Sequence, residues 1–130
     1  MAEEKTVVCI VDDDQFLLDM YAMKFKERGV EVQAFISAAS VLTAIKEGLR
    51  PDLLITDIVM PEVDGIELLR SVKELELDPE PVTVVLSNQG QDYDIDQAKS
   101  LGADGYIIKA NAIPSEVIEE CMNILESNRP

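Results

Sequence analysis

The chain has 130 residues, of which 11 are Lys or Arg and 26 are Asp or Glu, so its formal net charge is −15 at pH 7. This length suits one globular domain, and the negative charge disfavours nucleic acid and anionic membranes as partners. The chain has no histidine, which excludes Ser-His-Asp and Cys-His catalysis and most zinc sites. Cys9 and Cys121 lie among apolar residues, and the N-terminus has no signal-like segment. We therefore expect buried free thiols in a cytoplasmic protein.

Short β-rich runs alternate with helical patterns along the whole chain. Strands are predicted over residues 6–11, 30–35, 52–57, 82–87 and 104–109, because these runs are short and largely apolar. The first helix is predicted over 16–28 and ends before Gly29, and the second begins after a cap at Ser37 or Ser40. Three further helices are predicted around 66–75, around 95–101 before Gly102, and from Pro114 onward. Five such units within a single domain over residues 1–130 predict a doubly wound α/β fold, in which helices cover both faces of a parallel sheet.

Polar side chains stand at the carboxyl ends of four predicted strands. Asp12 and Asp13 follow the first strand, Asp57 ends the third, Ser87 the fourth and Lys109 the fifth. A doubly wound sheet binds its ligands at this edge. Taken singly, each residue has a structural explanation: acids before a helix cap its amides, Asp is common in turns, and Ser and Lys are common on surfaces.

Taken together, these residues predict a site for a cation and a phosphoryl group. Like charges about 4 Å apart repel by about 4 kcal/mol at an effective dielectric constant near 20, so clustered carboxylates need a cation or raised pKa values. Oxygen ligands without His or Cys suit Mg²⁺ or Ca²⁺. Lys109 and Ser87 are suited to phosphate oxygens, and a carboxylate is suited to accept the phosphoryl group. A calcium-binding loop over 92–103 is rejected, because Gln97 stands where such a loop needs Gly and Ala103 where it needs Glu.

Over essentially its full length, the chain resembles the receiver domain of two-component response regulators. Four motifs carry the resemblance in this order: VDDD at 11–14, DLLITDIVMP at 52–61 with DG at 64–65, VTVVLS at 82–87, and GADGYIIK at 102–109. The resemblance implies a flavodoxin-like (βα)5 fold with strand order 2-1-3-4-5. It also implies a signalling switch that takes a phosphoryl group from a histidine kinase or a phosphotransfer protein and uses Mg²⁺.

The resemblance also assigns roles to the residues at the strand ends. Asp57 is similar to the phosphoacceptor of the family. Asp12 and Asp13 are similar to the acidic pair that holds Mg²⁺ together with Asp57 and the backbone carbonyl of Val59. Lys109 is similar to the lysine that pairs with the phosphate.

A second group of residues concerns switching and the lifetime of the phosphate. Ser87 resembles the residue that binds the phosphate after activation, and Tyr106 resembles the aromatic residue that turns inward with it. Val59 and Gln89 stand two residues after Asp57 and Ser87, so we expect both to rim the phosphate and to set its lifetime. The family usually has proline where this chain has Ala110. We predict a trans bond before Ala110, because a cis bond before a non-proline residue costs about 3–4 kcal/mol.

Three functions remain compatible with the sequence. The first is the phosphorylation switch, which is not an enzyme beyond its own phosphorylation and slow dephosphorylation. The second is a receiver-like binding module that no longer switches, and the third is a small phosphohydrolase that forms an aspartyl phosphate. For the switch we expect no separate output domain in this chain and a downstream protein target bound at the fourth helix, fifth strand and fifth helix. We expect a monomer, because acids dominate the last helix at Glu116, Glu119 and Glu120.

Overall fold

The structure is a computed structural model that describes residues 5–58, 60, 62–87, 92–109 and 113–128. Strands and helices alternate in the order β1 (Val7–Val11), α1 (Gln15–Lys26), β2 (Glu31–Phe35), α2 (Ala38–Lys46), β3 (Leu53–Thr56), α3 (Gly65–Glu74), β4 (Val82–Ser87), α4 (Asp92–Ser100), β5 (Gly105–Ile108) and α5 (Pro114–Asn128). All strand pairs are parallel, and their order in the sheet is β2-β1-β3-β4-β5. The doubly wound α/β fold and its strand order are thereby confirmed.

The two faces of the sheet are buried under different helices. Because side chains alternate along a strand, Val8 and Ile10 of β1 pack under α1 and α5, whereas Cys9 and Val11 pack under α2 and α3. Complete burial of an aliphatic or aromatic side chain such as Phe25 contributes about 1.5–3 kcal/mol. The apolar runs in the strands therefore reflect burial on both faces.

The caps of α1 and α2 set where these helices begin. The Asp14 side chain accepts hydrogen bonds from the amides of Phe16 and Leu17, so α1 begins at Gln15. Ser37, rather than Ser40, caps α2 and accepts a hydrogen bond from the Ser40 amide.

Predicted boundaries differ from the observed ones by a few residues where turns follow the regular elements. The predicted end of α1 at Arg28 is wrong, because Arg28 and Gly29 donate to Phe25 and Lys26 in a tighter turn. Gly29 completes that turn at φ 80°, where glycine carries no steric cost. None of the described helices is long and apolar enough to cross a membrane.

Candidate functional site at the carboxyl edge of the sheet

The sheet brings Asp12, Asp57 and Lys109 into direct contact at one edge. The Lys109 Nζ atom donates to Asp12 Oδ2 at 2.6 Å and to Asp57 Oδ2 at 3.1 Å. The side chains are 6% exposed for Lys109, 3% for Asp12 and 11% for Asp57, so this ion cluster is largely removed from water. Lys109 is 97 positions from Asp12 and 52 positions from Asp57 in the chain, and the three side chains nevertheless meet, as the strand-end pattern predicts.

The backbone fixes one oxygen of each buried carboxylate and leaves the other to a cation. Asp12 Oδ1 accepts a hydrogen bond from the amide of Asp14 at 2.9 Å, and Asp57 Oδ1 accepts one from the amide of Ile58 at 2.7 Å. The Oδ2 atoms of both residues receive Lys109. Each carboxylate is therefore held in a fixed orientation with its second oxygen facing a positive charge.

Asp13 completes a set of carboxylates that suits a hard metal ion. One oxygen each from Asp12, Asp13 and Asp57 can be chosen so that all three lie within 4.8 Å of one another. Asp12 and Asp57 are buried and Asp13 is exposed, so the cluster opens to solvent on the Asp13 side. An all-oxygen set of this kind fits Mg²⁺ or Ca²⁺. The acidic pocket that the resemblance to receiver domains implies is thus present in this chain.

The charge of Lys109 is stabilised by its neighbours. Burial disfavours the ammonium, but the hydrogen bond to Asp12 and the charge of Asp57 outweigh burial and raise the pKa of Lys109 above its usual value. Lys109 therefore stays a cation at neutral pH. A fixed cation beside two carboxylates also neutralises part of the charge that any phosphoryl group would bring.

Ser87 and Tyr106 lie on neighbouring strands beside this cluster. Ser87 ends β4 and is 1% exposed. Tyr106 lies on β5 opposite Val85, two residues before Ser87 on β4, and is half-buried. The two residues of the predicted switch thus lie on neighbouring strands, with Ser87 at the carboxyl end of β4 and Tyr106 two positions further from that edge on β5.

The loop after β3 approaches the backbone of Asp57 too closely for any residue but glycine at position 65. A Cβ atom on Gly65 would lie 1.9 Å from the Asp57 carbonyl oxygen, which belongs to the backbone and cannot move aside. The Thr56 hydroxyl donates to the same carbonyl oxygen at 2.8 Å, and the Gly65 amide donates to the Ile58 carbonyl oxygen at 2.8 Å. The DG motif at 64–65 predicted the loop but not this contact, which depends on tertiary packing.

Three sequence predictions fall on positions without a structural description. Val59, Gln89 and Ala110 lie outside the described residues. The carbonyl ligand, the two phosphate-rim residues and the trans bond before Ala110 therefore stay predictions.

Known proteins provide an independent comparison. Residues 8–120 match the family model of the response regulator receiver domain. The regulatory protein VanRc of Enterococcus gallinarum is 31% identical over 103 residues, which cover 78% of this chain and 42% of that protein. The response regulator SaeR of Staphylococcus aureus is 30% identical over 120 residues, which cover 92% of this chain and 50% of that protein. The chain thus spans about half the length of the curated relatives it matches.

Solved structures agree with the fold. A CheY-like receiver domain protein from Methanospirillum hungatei is 27% identical with a TM-score of 0.84, and the match covers 95% of this chain and 96% of that one. The chemotaxis protein CheY4 of Vibrio cholerae is similar in fold, with a TM-score of 0.85 at 21% identity over 93% of this chain and 99% of that one. Fold, acidic pocket and family model agree, and the chain belongs to the response regulator receiver domain family of two-component signal transduction.

Proposed function

We propose that this receiver domain is a phosphorylation-dependent switch in which Asp57 accepts a phosphoryl group with the help of Mg²⁺. The observation that carries the proposal is the fixed orientation of Asp57, whose Oδ1 is held by the Ile58 amide while Oδ2 faces Lys109. A carboxylate held this way has one defined nucleophilic oxygen beside a cation that can receive the incoming charge.

The proposed transfer uses a phosphohistidine of a histidine kinase or a phosphotransfer protein as donor. An Asp57 oxygen forms a bond to phosphorus, the phosphorus–nitrogen bond of the donor breaks, and the imidazole nitrogen keeps the bonding electron pair. Asp12, Asp13 and the Val59 carbonyl would hold Mg²⁺ together with Asp57, and the bound ion would neutralise charge on the phosphoryl oxygens. Lys109 moves from the carboxylates to a phosphoryl oxygen, because the new group brings the larger negative charge.

The outer face of α1 is suited to contact such a donor protein. Phe16 and Met23 are seven residues apart on this helix and are 78% and 61% exposed. Phe16 lies three residues after Asp13, so the exposed apolar surface begins close to the carboxylates of the proposed metal site. A donor protein that covers Phe16 would place its phosphohistidine near Asp57 while burying apolar surface.

Ser87 and Tyr106 are proposed to transmit the phosphorylated state to the surface formed by α4, β5 and α5. The Ser87 hydroxyl can bind a phosphoryl oxygen only in the phosphorylated protein, which is the differential contact that a switch requires. We propose that this surface binds a downstream protein and that the receiver stays a monomer. A phosphate-induced dimer in sedimentation velocity would overturn the monomer.

The lifetime of the phosphate is proposed to depend on the side chains at positions 59 and 89. An apolar Val59 cannot orient the attacking water, whereas Gln89 can do so only weakly. Slow dephosphorylation is therefore expected, and Val59→Asn should accelerate it. An unchanged rate in that variant would show that Val59 does not line the path of the water.

Intact-mass analysis after incubation with acetyl phosphate and Mg²⁺ tests the central step. Wild type should gain one phosphate, whereas Asp57→Asn should gain none. Asp14→Asn is the matched control, because the Asp14 side chain caps α1, Asn caps equally well, and the backbone amide that holds Asp12 is unchanged. Absence of any gain in wild type would favour the non-switching binding module, and turnover of acetyl phosphate without accumulation would favour the phosphohydrolase.

A further inference from the structure

A tyrosine on α1 lies beneath the ion cluster. Tyr21 is only 4% exposed and packs in the core between the sheet and α5. Ile10, Ile55 and Ile107 belong to the same core cluster and stand two residues before Asp12, Asp57 and Lys109. The Asp12 and Asp57 amides continue the sheet hydrogen bonds to Phe35 and Val11, so strand alternation places these two side chains on the face that Tyr21 covers, where both bind Lys109.

The Tyr21 hydroxyl is electrostatically coupled to the site and has an unused hydrogen-bonding capacity. Burial raises the pKa of this hydroxyl, the charge of Lys109 lowers it, and the charges of Asp12 and Asp57 raise it. Among the described residues, none is hydrogen-bonded to the hydroxyl in the structure. Since no described side-chain polar atom is both fully buried and without a partner, the hydroxyl retains some contact with water.

Lys109 needs a new acceptor once a metal ion is bound. In the structure, the ammonium is bound to Asp12 Oδ2 and Asp57 Oδ2, and both carboxylates belong to the group that could hold a metal ion. A divalent ion on Asp12 repels the ammonium and competes for the same oxygen. An ammonium that leaves Asp12 inside a largely buried site must find another acceptor or lose a hydrogen bond.

We propose that the Tyr21 hydroxyl accepts a hydrogen bond from Lys109 when a cation occupies Asp12, which makes Tyr21 a positioning residue of the site. The inference rests on the metal site of the proposed function. Tyr21 then keeps Lys109 on the phosphate side of the pocket while the metal is bound, ready for the incoming phosphoryl oxygens. A phenylalanine would fill the same core volume without offering this acceptor.

Calorimetric titration with MgCl₂ tests the proposal without any phosphorylation. In Tyr21→Phe the Mg²⁺ affinity should fall by about tenfold, because a hydrogen bond to a charged group is lost only in the metal-bound state. Leu125→Val is the matched control, since Leu125 belongs to the same core cluster but lies near Asp52 at the opposite edge of the sheet. This control should lose stability and keep the Mg²⁺ affinity of wild type.

A double-mutant cycle shows whether the effect passes through Lys109. In a Lys109→Met background, Tyr21→Phe should leave the Mg²⁺ affinity unchanged. Lys109→Gln replaces Lys109→Met if the latter does not fold. Equal affinities of wild type and Tyr21→Phe, or an effect that persists without Lys109, would overturn the role of Tyr21. Failure of wild type to bind Mg²⁺ would instead overturn the proposed metal site.

Discussion

Replacement of Lys109 by methionine should expose how much the native state depends on this single cation. The ammonium lies 2.6 Å from Asp12 Oδ2 and 3.1 Å from Asp57 Oδ2 in a largely buried cluster. Without it, carboxylate oxygens that lie within 4.8 Å of one another face each other unshielded. At that separation two unit charges repel by about 3.5 kcal/mol at an effective dielectric constant near 20. Removal of one partner from a buried ion pair costs about 3–5 kcal/mol, so we expect a loss of about 3 kcal/mol without metal.

Urea unfolding with and without MgCl₂ measures both parts of this expectation. A loss of about 3 kcal/mol lowers the urea midpoint by about 1–2 M for a domain of this size. Mg²⁺ should stabilise Lys109→Met more than wild type, because the ion replaces the missing charge and no longer competes with the ammonium. Lys46→Met, at the exposed last turn of α2, should stay within about 0.5 kcal/mol of wild type. The reasoning would be refuted if Lys109→Met lost less than about 1 kcal/mol of unfolding free energy. It would also be refuted if Mg²⁺ raised the unfolding free energy of both proteins equally.

Three further predictions concern one buried thiol and two loops. Burial raises the pKa of Cys121 to about 12 from 9.0, so above pH 9 the unfolded state loses this proton more readily and stability falls. In wild type this effect lowers the free energy of unfolding by about 1.4 kcal/mol per pH unit between pH 9 and 11, and Cys121→Ala should remove it. If the free energy of unfolding of Cys121→Ala falls as steeply with pH as that of wild type, the prediction is wrong. Glu76 lies two residues after the end of α3 and has φ 50°, so Glu76→Gly should stabilise the protein by about 0.5–1 kcal/mol in urea unfolding, and no gain would show that the strain is relieved elsewhere. Gly65→Ala should lower both stability and Mg²⁺ affinity, because the new methyl group collides with the Asp57 carbonyl; wild-type affinity would show that the loop adapts. Gly48→Ala is the control for Gly65→Ala, because Gly48 has a φ of 118°, unfavourable for alanine, but an added Cβ atom there would meet no atom within 4 Å. Gly48→Ala should therefore lower stability and leave the Mg²⁺ affinity unchanged.

The sequence predicts most of the fold because apolar runs and helix caps report local structure directly. β4 was predicted at its observed bounds, Val82–Ser87, because its side chains are buried on both faces. The end of α1 was missed by two residues, because the turn through Arg28 and Gly29 depends on hydrogen bonds that leave no periodic pattern. Helix ends are in general the least defined part of a sequence pattern.

The site was predictable only as a set of residue types at one edge. Strand ends and parallel topology suffice to bring Asp12, Asp57 and Lys109 together. They do not reveal that Lys109 bridges both carboxylates, which depends on side-chain geometry. Tyr21 stood in the sequence as one more apolar position of α1, because a buried aromatic residue gives no signal of what its hydroxyl faces.

Carboxylates at the opposite edge of the sheet differ from those of the candidate site in what they bind. Asp52 and the backbone of Val7 exchange two hydrogen bonds, because the Val7 amide donates to Asp52 Oδ2 at 2.8 Å while the Asp52 amide donates to the Val7 carbonyl. Asp104 and Thr83 form the same reciprocal pair, with 2.9 Å from the Thr83 amide to Asp104 Oδ2. These acids hold neighbouring segments together, and within the described part of the chain no Lys or Arg forms an ion pair with either.

At the carboxyl edge, Asp12 and Asp57 accept hydrogen bonds from amides just beyond their strands, at Asp14 and Ile58. In both residues Oδ1 accepts a hydrogen bond from that amide, and Oδ2 accepts one from the Lys109 ammonium. In the structure Lys109 is the cation that both Oδ2 atoms bind, and in the proposed switch Mg²⁺ or a phosphoryl group would change which oxygen Lys109 binds. The proposed function thus rests on the polarity of a parallel sheet: Asp52 and Asp104 hold neighbouring segments together at one edge, while Asp12 and Asp57 at the other edge each direct one oxygen to a cation.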